Sequence, residues 1–209
     1  MHQSTEAQAE SRALHFWVLL TLLTIGLACF SLVDLGNILG VDEWAIIYTA
    51  AKGAVNFANS RPLAILPSTI FYPLAGMMLV PNHALLILIK VCAAFSLYLV
   101  VQHFTPDDRL FAFTCGSLYL SYAVLDGYPL TIFPLSGINT SQLFLTLLAL
   151  YLYFQHVTFN RPVSLIASVA LAIISIGMRE SNVPMIFGLP VLEFLYKRQF
   201  TRIRIVGLV

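Results

Sequence analysis

The feature that most constrains this chain is a series of long apolar runs that carry almost no charge. They fall at about residues 14–33, 63–80, 84–104, 109–125, 141–158, 163–178 and 183–196. They are rich in Leu, Ile and Ala and do not alternate apolar with polar residues, so they read as helices and not as barrel strands. Of the 209 residues, 59% are hydrophobic and 10% charged, where a soluble domain carries about 25% charged residues. So few charges cannot coat a globule in water, and lipid is the solvent that suits such a surface. In lipid each segment must satisfy its own backbone hydrogen bonds, which an α-helix does. The expected fold is an all-α integral membrane protein. It has one transmembrane domain over 1–209, with about six transmembrane helices, an outer amphipathic helix and a proline-broken half-helix.

Formal net charge is +1, so no basic patch suggests nucleic acid as a partner. Cys29, Cys92 and Cys115 each sit inside an apolar run without a C-x-x-C pair, and read as small buried hydrophobes. Residues 1–13 form a polar tail ending near Arg12. The apolar stretch after it is too long for a signal-peptide core and lacks an A-x-A site, so a retained anchor is expected. There is no internal repeat, low-complexity linker or mark of a soluble domain.

Basic residues set the expected topology. Arg12 precedes the first helix, and the densest basic cluster is Lys197, Arg198, Arg202 and Arg204. The positive-inside rule puts both in the cytoplasm, which demands an even number of crossings. Segment 63–80 is short, carries Pro67 and Pro73 and is closed by Pro81. Proline removes a helix hydrogen bond and kinks the rod, so this segment is expected to be half-buried or re-entrant. Residues 34–83, 126–140 and 179–182 then lie outside, and 105–108, 159–162 and 197–204 inside. The 34–62 part of the first outer loop holds the amphipathic helix. The last residues, Arg204 to Val209, read as the start of another apolar helix, as in a truncated chain.

Most polar residues of interest fall on the outer side. From Asp42 to Lys52 the pattern is amphipathic, with Trp44, Ile47, Tyr48, Ala51, Val55 and Ala58 at helical spacing toward the membrane. Asp42, Thr49, Lys52, Asn56 and Asn59 fall on the other side. The plain reading is an interfacial helix capped by Asp42, whose carboxylate suits the free N–H groups and the dipole. Arg179 and Glu180 follow a span directly, as boundary charges do. Alternatively, the Arg179 guanidinium holds a phosphate through two parallel donors. Lys90 lies about two turns inside 84–104, where a lysine costs a few kcal/mol unless it snorkels or pairs. It either snorkels to the outer headgroups or meets a lipid phosphate there.

The histidines are His2, His15, His83, His103 and His156. His103 and His156 fall near inner span ends, and read as boundary histidines rather than haem ligands. Asn139-Thr140-Ser141 fits the glycosylation sequon, a weak pattern that here abuts a helix. No nucleotide loop, zinc motif or serine elbow is present.

The order of these features resembles the N-terminal membrane module of the GT-C superfamily of glycosyltransferases, of the protein O-mannosyltransferase and aminoarabinose-transferase-like kind. A span is followed by an outer loop with Asp42-Glu43 opening an amphipathic helix, then Arg61-Pro62 and the break Tyr72-Pro73-Leu74. Next come a span with a basic residue near its start and an outer loop rich in Pro and Gly. Last is a span ending in Met178-Arg179-Glu180. The likeness runs over about residues 14–204, and the order of its motifs carries it. The break has one proline where the family pattern has two, and Tyr48 comes later after the acidic pair than is usual.

The resemblance implies an enzyme that takes a sugar from a polyprenyl-phosphate carrier on the outer face. Asp42 would be the base, with Glu43 beside it; Lys52, Lys90 and Arg179 would bind the carrier phosphate. Such chemistry needs a carboxylate to take the acceptor proton and cations to stabilise the departing phosphate. A divalent metal is left open as a cofactor, and none is assigned ligands. Family members are normally more than twice as long. That length difference keeps a second reading alongside: a non-catalytic transmembrane subunit of a larger photosynthetic or respiratory complex, with other transmembrane subunits as partners. A third, a transporter fragment built around the broken 63–80 segment, lacks mid-membrane ionisable residues apart from Glu193. The expected location is the bacterial inner membrane, N-terminus cytoplasmic.

Overall fold

The computed structural model describes residues 2–30, 79–121 and 133–178, together with Leu63, Ile70, Val183, Pro184, Gly188 and Val191. Among the described residues it is all-helical: α1 His2–Phe30, α2 Leu79–Phe104, α3 Arg109–Ser121, α4 Phe133–Phe159 and α5 Pro162–Met178. Helix α1 starts well ahead of the apolar run, because its Glu, Ala, Gln and Arg residues are good helix formers. Helix α2 also starts early, at Leu79. Pro81, expected to close the preceding segment, instead sits in the first turn of α2, where its missing N–H has no carbonyl to serve. The rest of 63–80, and most of 183–196, lie outside the described residues.

Two of the described helices are long and apolar enough to cross a membrane: Ala84–Phe104, with mean hydropathy 2.5, and Thr140–Phe159, with 1.3. Ala13–Cys29 and Pro162–Met178 are shorter apolar helices. The described residues thus carry two helices of crossing length, fewer than the expected six.

Short, well-capped turns join the helices at one end of the bundle. After α2 the Thr105 amide and hydroxyl both donate to the Val101 carbonyl at 2.9 Å. The Asp108 carboxylate accepts from the Phe111 amide at 2.9 Å, capping α3. After α4, Asn160 adopts φ 51° and its amide donates to the His156 carbonyl at 2.7 Å. Asn is one of the few residues that tolerates this left-handed position. Asn160→Gly should leave stability within a few tenths of a kcal/mol, while Asn160→Val should cost about 1–2 kcal/mol in thermal or denaturant unfolding.

Ring and hydrogen-bond contacts fix the helix directions. Phe104 of α2 meets Phe154 of α4 at 4.8 Å, and Leu86 and Ile89 pack with Phe144. Helices α2 and α4 therefore run parallel. Helices α1, α3 and α5 run the other way. His15 reaches Gln102 while Gly26 faces Val91; Gly116 abuts Ala94 and Tyr98; Ser168 and Ser175 bond to Ala149 and Gln142. Helix α2 is the hub. One of its faces joins Leu22 and Leu120 through Ile87, Val91 and Ala94; the other joins Leu147, Leu150 and Phe154 through Val100.

The outer surface is apolar. Val163, Leu110, Ile166 and Leu118 are 76%, 74%, 70% and 64% exposed. The exposed hydroxyls of Thr21, Thr24, Thr114 and Ser121 each donate to the carbonyl four residues back on their own helix, at 2.8–2.9 Å. These groups are satisfied without water.

Candidate functional site

The interior is polar toward the end of the bundle where α1, α3 and α5 finish and α2 and α4 begin. Lys90 of α2 is 5% exposed. It shares a helix face with Leu86 and Leu97, one turn or two away, both of which belong to clusters formed with α4. The amphipathic stem of a lysine suits this setting, since its methylenes pack while its ammonium needs polar company. Its side chain is enclosed by the bundle, so it does not lie open to the headgroup layer as a snorkelling lysine would.

Helix α4 brings Thr140, Ser141, Gln142 and Thr146 into the interior, and α5 brings Ser175; each is at most 7% exposed. Thr146 and Ser175 share a hydrogen bond of 2.7 Å, and both hydroxyls point at the Gln142 carbonyl, at 2.9 and 3.2 Å. Two helical turns further along the same seam, Ser168 donates to the Ala149 carbonyl at 2.7 Å. Buried hydroxyls of this kind bind helices together where no hydrophobic effect can. Ser175→Ala should cost about 0.6–1.7 kcal/mol, read as a lower unfolding midpoint in detergent. Ser141 differs, because its buried Oγ has no hydrogen-bond partner. At the same end the Leu63 amide donates to the Gly177 carbonyl at 3.0 Å, and a Cβ on Gly177 would lie 2.6 Å from the Leu63 side chain.

Of the residues expected to form a site, only Lys90 is described. Asp42, Glu43, Lys52 and Arg179 lie outside the described residues. In the chain, residues 31–78 connect α1 to α2 and Arg179 directly follows α5.

The opposite end gathers aromatic and imidazole groups. His15 Nε2 lies 3.2 Å from Gln102 Oε1, with the His15 ring edge-on to Tyr98 at 6.0 Å. The Tyr98 hydroxyl is buried without a hydrogen-bond partner. His103 stacks on Phe154 at 4.8 Å, and His156 Nδ1 lies 3.1 Å from the Arg161 carbonyl. Among the described residues no three His, Cys, Asp or Glu side chains gather as a metal site. Of the cysteines, Cys92 and Cys115 are partly buried, but Cys29 is exposed and so is not the buried hydrophobe expected.

Sequence reasoning passed over the polar seam of α4 and α5. A signal was present: Gln142 and Thr146 stand four apart, and Ser168 and Ser175 seven apart, which puts each pair on one helix face. No protein-family model matches the chain, nor does any curated protein or solved structure.

Proposed function

We propose that the chain is a membrane protein of GT-C type that binds a polyprenyl-phosphate sugar at the Lys90 end of its bundle and transfers the sugar on the outer face. The observation that carries this reading is the burial of a cation, Lys90, among apolar helices at the end to which the Asp42 and Arg179 segments connect. A buried ammonium suits an anion delivered from the lipid phase. The apolar outer surface and its self-satisfied hydroxyls support residence in lipid. About six crossings and a cytoplasmic N-terminus are the topology that the positive-inside rule gives this reading. A bacterial inner membrane is the location that fits.

In this reading Asp42 takes the proton of the acceptor hydroxyl as the acceptor oxygen bonds to the anomeric carbon. The bond from that carbon to the carrier phosphate breaks, and Lys90, Lys52 and Arg179 stabilise the phosphate that leaves, with Glu43 next to the base. The exposed apolar faces of α3 and α5 favour the second reading, a non-catalytic subunit packed against other transmembrane chains.

Purification in mild detergent, with intact mass and lipid identification, separates the two. Co-purifying polyprenyl phosphate, and an Asp42→Asn variant that retains the lipid but loses transfer at least a thousandfold, is the expected result (roughly the loss seen when an essential base is removed). Recovery in a stoichiometric complex with other membrane proteins, without carrier lipid, would leave the subunit reading standing.

A further inference from the structure

Every exposed aromatic ring among the described residues lies toward the end of the bundle opposite Lys90: Phe16 and Trp17 of α1, Phe104 of α2, Phe111 of α3 and Phe159 of α4. Interhelical contacts set their depths. His15 bonds to Gln102, so Trp17 lies about 3 Å to the inner side of the Gln102 level and Phe104 about 3 Å to its outer side, at 1.5 Å per residue. Phe111 precedes Gly116, which abuts Ala94 and Tyr98, by about 7.5 Å, which returns it to the Gln102 level. Phe159 follows Phe154, the partner of Phe104, by about 7.5 Å. The five backbone positions thus fall within about 14 Å along the bundle. Long helical side chains lean toward their own N-terminus, and α1 and α3 run against α2 and α4, so the rings lean toward one another in depth.

The surface on either side of this belt differs. Toward the Lys90 end the large exposed side chains include Leu20, Leu27, Leu88, Leu118, Val169 and Ile173, all aliphatic. In the turns beyond the belt Asp107, Asp108 and Arg161 are exposed charges. The Arg161 guanidinium carbon lies 5.3 Å from the centre of the Phe159 ring, the kind of contact that a lipid ammonium group makes with an aromatic face. Aliphatic, aromatic and charged layers in that order match the hydrocarbon, interface and water of one leaflet. The belt also passes around the bundle. Helices α1 and α3 pack on one face of α2 and α4 on the other, so one flat partner chain could not cover all five rings.

We propose that this aromatic belt is the surface by which the bundle engages the headgroup layer of one leaflet, with phospholipid as the partner. This rests on the membrane part of the reading above and is independent of sugar transfer.

The test uses the full chain in phosphatidylcholine vesicles whose lipids carry bromine either just below the headgroup or near the chain end. Each protein keeps one tryptophan, at native Trp17, at Phe159→Trp or at Leu27→Trp, the others being changed to Phe. Bromine quenches tryptophan fluorescence on contact, so the two lipids report depth. Trp17 and Phe159→Trp should be quenched most by the shallow bromines. Leu27→Trp, ten residues (27 − 17) further along α1, should be quenched most by the deep ones, a depth shift of about 15 Å. Trp17 is native, so its result stands without any change to the described helices. If Trp17 or Phe159→Trp is quenched most by the deep bromines, or by neither lipid while Leu27→Trp is quenched, the belt proposal is overturned and residence in lipid stands. If no position is quenched by either lipid, the membrane reading falls with it.

Discussion

Replacing Lys90 with methionine is expected to weaken binding of a polyprenyl phosphate about a hundredfold, while Lys90→Arg stays within about tenfold of wild type. The charge sits 5% exposed inside an apolar bundle, where its interaction with an anion is screened far less than at a water-facing surface. Truncating one partner of a desolvated charge pair commonly costs 2–5 kcal/mol, or about 30- to several thousandfold in affinity. Arginine keeps the charge and adds a planar fork of donors that suits phosphate, but its bulk must fit beside Leu86 and Ala93. Native mass spectrometry on nanodisc-embedded protein reads both effects. A Lys90→Met protein with wild-type affinity would assign Lys90 to packing alone and end the carrier-phosphate reading.

The second large effect is structural. Gly116→Leu should destabilise the bundle by about 3 kcal/mol, and Gly116→Ala and Gly26→Ala each by about 1 kcal/mol. All three place a Cβ against α2, but they meet different atoms. At Gly116 the new carbon would lie 3.0 Å from the Ala94 carbonyl oxygen and 3.5 Å from Tyr98 Cβ. A backbone carbonyl inside a helix cannot turn aside, so α3 must move away from α2. At Gly26 the nearest atom, 2.8 Å away, is a methyl at the end of Val91. Valine is β-branched with one strongly preferred rotamer in a helix, and Val91 is 1% exposed, so this crowding too is relieved only if α1 moves off α2, with alanine's better helix propensity a partial offset. Chemical unfolding in detergent, with tryptophan fluorescence of Trp17 and Trp44 as the signal, ranks the three.

The helices themselves were legible because their cause is local. Apolar runs without period-two alternation cannot satisfy their backbone in any other regular form, and α2, α4 and α5 fall close to the expected 84–104, 141–158 and 163–178. Their ends were less legible. The polar start of α1 and the Pro81 turn of α2 obey helix propensity and first-turn rules, which a hydropathy pattern does not register. Lys90 stood out as a costly charge within an apolar run. Residue type could not say whether its ammonium would emerge at the membrane surface or be enclosed, since that depends on which neighbours cover its face of α2.

The seam of Thr146, Ser175 and the Gln142 carbonyl shows the same divide. In the sequence these are mild interruptions of hydrophobicity, and α5 is separated from its partner positions on α4 by a turn. Their meeting depends on the antiparallel register of the two helices, set by packing over their whole length. The sequence by itself determined that this chain is built of apolar helices with few, isolated charges, because composition and periodicity act along the chain. Only the tertiary structure decided which of those polar groups face one another and which buried hydroxyls are left without a partner, because both follow from distances between helices.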